Sequence, residues 1–216
     1  MLAKKFYSKI KKNLNRNKIF YTNNGNDKTF KDLNEIVLKF LKLSENFPKL
    51  YQNKIFLISD KSFENYSIIT SILISNNIWI QINKNTPLER IISIFYSINP
   101  DTIIFDKINS KNSEKIKNFF KEKKIKIFTF HDILNLRQKK KNITIRHHDN
   151  DHAMTFFTSG STGDPKAINI TNKNFITSFY GQLRSLYKDN KKYIFGDYHD
   201  NSFVIILNIL LPCLYK

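Results

Sequence analysis

Apolar runs of strand length alternate with apolar stripes at helical spacing along most of this chain. Ile19-Phe20-Tyr21 and Lys28-Thr29-Phe30 flank Asn23-Asn24-Gly25-Asn26-Asp27. Asn-Gly suits the left-handed positions of a tight turn, so the stretch predicts a short hairpin. Leu33, Ile36, Val37, Phe40, Leu41 and Leu43 then recur at helical steps, and Pro48 closes that segment. Lys54 to Ser59 predicts a strand. Ser62 is placed to cap the next helix, with Tyr66, Ile69, Ile72 and Leu73 inward and Asn76-Asn77 at its end. Ile78 to Ile82 is a second strand. Thr86-Pro87-Leu88-Glu89 reads as a capping box with proline at the first helical position, opening a helix that Asn99-Pro100 breaks. Thr102 to Phe105 predicts a strand, Glu114 to Lys123 an amphipathic helix and Ile125 to Thr129 another strand. After the polar stretch Lys139 to Asp151 come strands at Ala153 to Thr158 and Ala167 to Ile170. Thr171 or Asn172 can then cap a helix reaching about Tyr187. A loop with Gly196 leads into a final apolar run. Strand and helix alternating with short connections predict an α/β fold: a mainly parallel sheet with helices on both faces.

Composition changes this picture little. The hydrophobic fraction of 41% and the 19 Phe suffice for a packed core, which excludes general disorder. Met1 to Asn17 is basic but no apolar signal region follows, and the longest apolar run, Phe203 to Leu211, is about half the ~20 residues that span a bilayer. With the single Cys213, a cytoplasmic protein without a membrane span is the expectation. The formal charge of +18 raises nucleic-acid binding as an alternative. Nearly all of that charge is lysine, however, and arginine stands only at Arg16, Arg90, Arg137, Arg146 and Arg184. Bidentate readers of phosphate and bases lean on arginine, so no nucleic-acid partner is expected.

The candidate chemistry sits at Phe157 to Lys166, FTSGSTGDPK, where a chain with only 5 glycines places two of them. Gly160 and Gly163 allow conformations and close approaches that side chains block. Thr158, Ser159, Ser161 and Thr162 add hydroxyls beside exposed amides, and successive amides in such a turn form an anion nest. Pro165 stiffens the exit, and Lys166 adds a positive charge. The Walker loop does not fit: Asp164-Pro165 follows Gly163 where that loop has lysine, and Ala167 offers no hydroxyl. The predicted exit is also a strand, so no helix N-terminus lies under the phosphates.

Thr158-Ser159-Gly160-Ser161-Thr162-Gly163-x-Pro165-Lys166 instead resembles the signature loop of the adenylate-forming, AMP-binding superfamily: acyl-CoA synthetases, peptide-synthetase adenylation domains and luciferases. Asp149 to Phe157 resembles the family's acidic turn and apolar strand. Thr29-Phe30-Lys31-Asp32-Leu33-Asn34 resembles its "TYxELN" helix start, and Trp79 to Asn83 with Thr86 to Arg90 its "YVPLDPxxPxER" segment. The resemblance runs from about Ile19 to Lys216. One departure touches the loop: Ala167 stands where the family usually has glycine.

The resemblance implies the N-terminal portion of the large domain of an adenylate-forming enzyme, over residues 19–216 after a basic segment, 1–18. It implies a ligase that joins ATP and a small carboxylate into acyl-AMP and pyrophosphate. The acyl group would then pass to a thiol, either coenzyme A or the phosphopantetheine of an acyl or peptidyl carrier protein. Lys166 is assigned to charge neutralisation; Thr158, Ser159, Ser161 and Thr162 to hydrogen bonding; Gly160 and Gly163 to backbone room. His199 and Asp200 resemble the segment that lines the acyl pocket. The Mg2+ ligands, the adenine and ribose contacts and a second lysine would lie beyond Lys216. The chain therefore reads as a fragment inactive alone, with a noncatalytic ATP-binding or interaction remnant as the alternative. His147, His148, Asp149, Asp151 and His152 match no helical or finger-like ligand spacing and read as a solvated linker.

Overall fold

A computed structural model describes residues 2–15, 18–106, 111–137, 145, 147–159, 165–186, 194–198 and 212. The chain opens with helix α1 (Leu2–Asn13), a hairpin of β1 (Ile19–Asn23) and β2 (Asn26–Thr29), and α2 (Phe30–Leu43). It continues through β3 (Lys54–Ile58), α3 (Phe63–Ile74), β4 (Ile78–Ile82), α4 (Leu88–Ile98), β5 (Thr102–Phe105), α5 (Lys111–Glu122), β6 (Lys126–Thr129) and the short α6 (Phe130–Leu134). β7 (His152–Ser159), β8 (Pro165–Thr171) and α7 (Asn172–Leu186) complete the elements. Asn24 (φ 49°) and Gly25 (φ 79°) make the tight turn between β1 and β2.

Six strands form one sheet in the order β6-β5-β3-β4-β7-β8, parallel except for the antiparallel β7–β8 pair. Period-two alternation splits the side chains between two cores. Ile55, Leu57, Trp79 and Ile104 face one core with residues of α1, α2, α3, α6 and α7. Phe56, Ile58, Ile80, Ile103 and Phe105 face the other with α4 and α5. The route from β3 through α3 to β4 runs one way along the sheet. The routes from β4 to β5 and from β5 to β6 run the other way. Right-handed crossovers in opposite directions place their helices on opposite faces, which is why α3 is separated from α4 and α5.

The helix ends follow local rules, with one correction. Ser62 caps α3 by accepting from Asn65 N–H (3.0 Å). The expected capping box at Thr86 does not form. Pro87 is the N-cap of α4, without a side-chain bond, and its carbonyl accepts from Ile91 N–H (3.0 Å). Helix therefore begins one residue later than the box requires, and Glu89 falls out of register with Thr86. True capping boxes form at Thr29–Asp32 and Thr129–Asp132. At the first, Thr29 donates its backbone N–H (2.7 Å) and hydroxyl (2.8 Å) to Asp32 Oδ2. The backbone bond is the main reason the Asp32 carboxyl titrates below its ordinary value. Thr29→Ala is expected to cost about 0.5–2 kcal/mol in urea unfolding. A carboxylate whose folded pKa is depressed stabilises above its unfolded pKa, and that contribution fades as pH falls through the folded value. Asp32→Ala removes the acceptor of both bonds, so its cost should narrow in acid; a cost independent of pH would contradict the role of Asp32.

The amino ends of β3, β4 and β7 are tied by amides. Gln52 donates to the Asn76 and His152 carbonyls (3.0 Å each), and Asn53 Nδ2 to Asn77 Oδ1 (2.8 Å). Asn76 Nδ2 donates to Asp151 (2.7 Å), and Asn172 N–H to the Asp151 carbonyl (2.8 Å). These bonds fix one edge of the sheet and leave the opposite, carboxyl edge for chemistry.

Candidate functional site

Open parallel sheets bind ligands outside the carboxyl ends of their strands, near the point where the winding direction reverses. In this chain β3 and its neighbours meet that description, and β7 runs parallel to β4, so Ser159 ends on the same edge. Ser159 pairs with Pro165, and Thr158 with Lys166 directly across the hairpin. Residues opposite each other on antiparallel strands point to one face, so the Thr158 hydroxyl and the Lys166 ammonium share a side. Both side chains are exposed. The exit from the loop is strand β8, as the sequence predicts, and not a helix. Gly160, Ser161, Thr162 and Gly163 lie outside the described residues, as do His199 and Asp200.

Behind this edge lies a buried polar relay. Trp79 Nε1 donates to Gln81 Oε1 (3.1 Å), Gln81 Nε2 to Ser59 Oγ (3.1 Å), and Ser59 Oγ to Asn65 Oδ1 (2.6 Å). It locks the ends of β3 and β4 to the first turn of α3. In front of it, Asp60 N–H donates to Asp106 Oδ2 (3.1 Å) and Lys84 pairs with Asp60. The hydrogen bond to Asp60 is the main cause that raises the Lys84 pKa. Lys61 and Tyr66, at the start of α3, both contact Asp197. The sequence gives no sign of these long-range partners, because their separation exceeds any helical or strand period.

The expected solvated linker before β7 is more structured than its composition suggests. The His147 side chain is only 2% exposed and lies 3.5 Å from the exposed Asp149 carboxylate. Burial is the main cause that lowers its pKa. Among the described residues no group of three or more His, Cys, Asp or Glu is placed to hold a metal ion, and no helix is long and apolar enough to cross a membrane.

The family model for AMP-binding enzymes matches residues 9–214, nearly the whole chain. The chain belongs to the AMP-binding enzyme family. Solved structures of adenylate-forming proteins share its fold. The N-terminal subdomain of Klebsiella oxytoca NpsA, in complex with 3-hydroxyanthranilyl-AMSN, superposes with a TM-score of 0.79 at 17% identity, over 99% of this chain and 50% of that one. The o-succinylbenzoate CoA synthetase MenE from Bacillus subtilis, in complex with its acyl-adenylate intermediate, gives 0.78 at 12% identity, over 97% and 53%. The McyG A-PCP structure, complexed with phenylalanyl-adenylate, gives 0.71 at 16% identity, over 87% and 31%. This AMP-binding chain thus spans about half the length of the NpsA and MenE chains it matches. No curated protein matches the sequence.

Proposed function

We propose that this chain supplies the phosphate-holding part of an AMP-forming, carboxylate-activating ligase. The observation that carries the reading is the β7–β8 hairpin. Its Gly-, Ser- and Thr-rich loop lies between strands that present Thr158 and Lys166 on one side, at the carboxyl edge of a parallel sheet. In the reaction, a carboxylate oxygen attacks the α-phosphorus of ATP, the bond to the β-phosphate oxygen breaks, and pyrophosphate leaves with its electron pair. Negative charge grows on the leaving group. Amides and hydroxyls already oriented, with the Lys166 ammonium, stabilise that charge and hold the phosphates for in-line attack. Mg2+, when bound with ATP, would neutralise the same oxygens. A thiol of coenzyme A or of a carrier's phosphopantetheine then attacks the acyl carbon and AMP departs. MenE and the McyG didomain, one a CoA synthetase and the other carrying a PCP, support both acceptors at family level. His199 and Asp200 are assigned to the acyl pocket.

The chain alone is expected to bind ATP but not to turn it over, because the relatives it matches use about twice its length. Titration of purified residues 1–216 with ATP, by calorimetry, should show saturable binding of one equivalent. ATP–pyrophosphate exchange should stay at background. Exchange above background would overturn the expected incompetence. Absence of binding to both ATP and pyrophosphate would overturn the phosphate-cradle reading.

A further inference from the structure

Residues 194–198 lie far in sequence from α3 yet are held against its N-terminal end. Lys61 Nζ donates to the Asp197 carbonyl (3.0 Å) and stands 3.6 Å from Asp197 Oδ1. The Tyr66 hydroxyl donates to Asp197 Oδ2. Tyr66 is itself only 7% exposed and packs against Tyr21 of β1, with ring centroids 5.8 Å apart. The Asp197 side chain is 13% exposed, although Ile194 and Tyr198 around it are 95% and 84% exposed. The Asp197 carboxylate is thus held by a cation and a phenol. The cation, Lys61, follows the carboxyl end of β3, the edge on which β7 enters the signature loop.

We propose that Lys61 and Tyr66 clamp Asp197 and so fix residues 194–198 at the carboxyl edge of the sheet, making these three positioning residues for the acyl side of the site. The role rests on the ligase reading, because the sequence runs from Asp197 through Tyr198 straight into His199-Asp200. The clamp joins residues 194–198 to the scaffold that carries the phosphate hairpin. A misplacement of about 1 Å between reacting groups costs on the order of 100-fold in rate, which is the physical need for such an anchor.

The clamp is tested without substrate or turnover. Spin labels go on cysteines introduced at Glu89, in the first turn of α4, and at Tyr198, with Cys213→Ser removing the native thiol. Pulsed electron-electron resonance then reads the distance distribution in the full 216-residue chain. The parent should give one narrow peak. Tyr66→Phe, Lys61→Met and Asp197→Asn should each broaden it by about twofold or more while the circular dichroism of the sheet is unchanged, as expected when a local anchor opens without global unfolding. A broad distribution in the parent, or variants as narrow as the parent, overturns the clamp. Should Tyr66→Phe fail to fold, Asp197→Asn decides the matter. The ligase reading stands or falls separately, on ATP and pyrophosphate binding.

Discussion

Phe120→Ala is expected to destabilise the protein by about 3–5 kcal/mol. Phe120 is fully buried on α5. Its ring meets Phe119 at 5.3 Å, Phe95 at 5.7 Å, Phe56 at 6.3 Å and Phe105 at 6.5 Å between centroids. It therefore joins α4 and α5 to strands β3 and β5 through aromatic contacts in one core. Alanine would remove the transfer energy of the ring and leave a cavity whose lining belongs to four separate elements, so collapse can fill it only in part. Single domains are stable by about 5–15 kcal/mol, so the loss is a large share of the total. Phe119 is the control: it is half-buried and its ring meets Phe95, Tyr96 and Phe120 but neither strand phenylalanine, so Phe119→Ala should cost clearly less. Urea midpoints measured for both variants give the comparison. A cost below about 1 kcal/mol for Phe120→Ala, outside the range for an aromatic deleted from a tight core, would contradict the packing described.

The sequence made the sheet legible because β3, β4 and β5 are covered on both faces. Such strands are continuous apolar runs, and KIFLI, IWIQI and TIIF stand out against a Lys- and Asn-rich background. The helices α2, α3 and α4 were legible from apolar spacing. Helix α1 is not legible although Ala3, Phe6, Tyr7 and Ile10 fall on one buried face, because its lysines give it the composition of a solvated segment and its burial comes from tertiary packing on α2 and α3. Helix α6 is too short to show periodicity; its only signal was the Thr129–Asp132 capping pair. The capping box expected at Thr86 failed because Pro87 itself takes the cap position. The linker reading failed at His147, whose burial depends on tertiary neighbours that composition does not reveal. For the site, motif spacing brought out the signature loop, and the structure places its flanks, Thr158 and Lys166, opposite each other. Asp197 was illegible for a different reason: its partners Tyr66 and Lys61 stand 131 and 136 positions away.

Lys166→Ala is expected to weaken ATP and pyrophosphate binding by about 10-fold or more, because a hydrogen bond to a charged group is worth about 1.5–3 kcal/mol. In a longer version that turns over, kcat/KM should fall by a similar or larger factor, since the leaving pyrophosphate carries more charge in the transition state than bound ATP does. The side chain is exposed and projects from a paired strand, so alanine removes the ammonium without disturbing a core. The main rival explanation of any loss is the general field of a chain with net charge +18, which attracts every anion. Lys173→Ala separates the two. Lys173 is also exposed, lies on α7 just after β8, and its removal lowers the net charge by the same single unit. A field effect should weaken both variants equally and vanish as salt rises past about 0.1–0.2 M, where exposed charges are screened beyond 8–10 Å. A direct contact should weaken only Lys166→Ala and persist at that salt. Lys166→Arg restores the charge but not the compact ammonium, so it should recover part of the affinity and not all of it. Equal losses in the two alanine variants would remove Lys166 from the phosphate site.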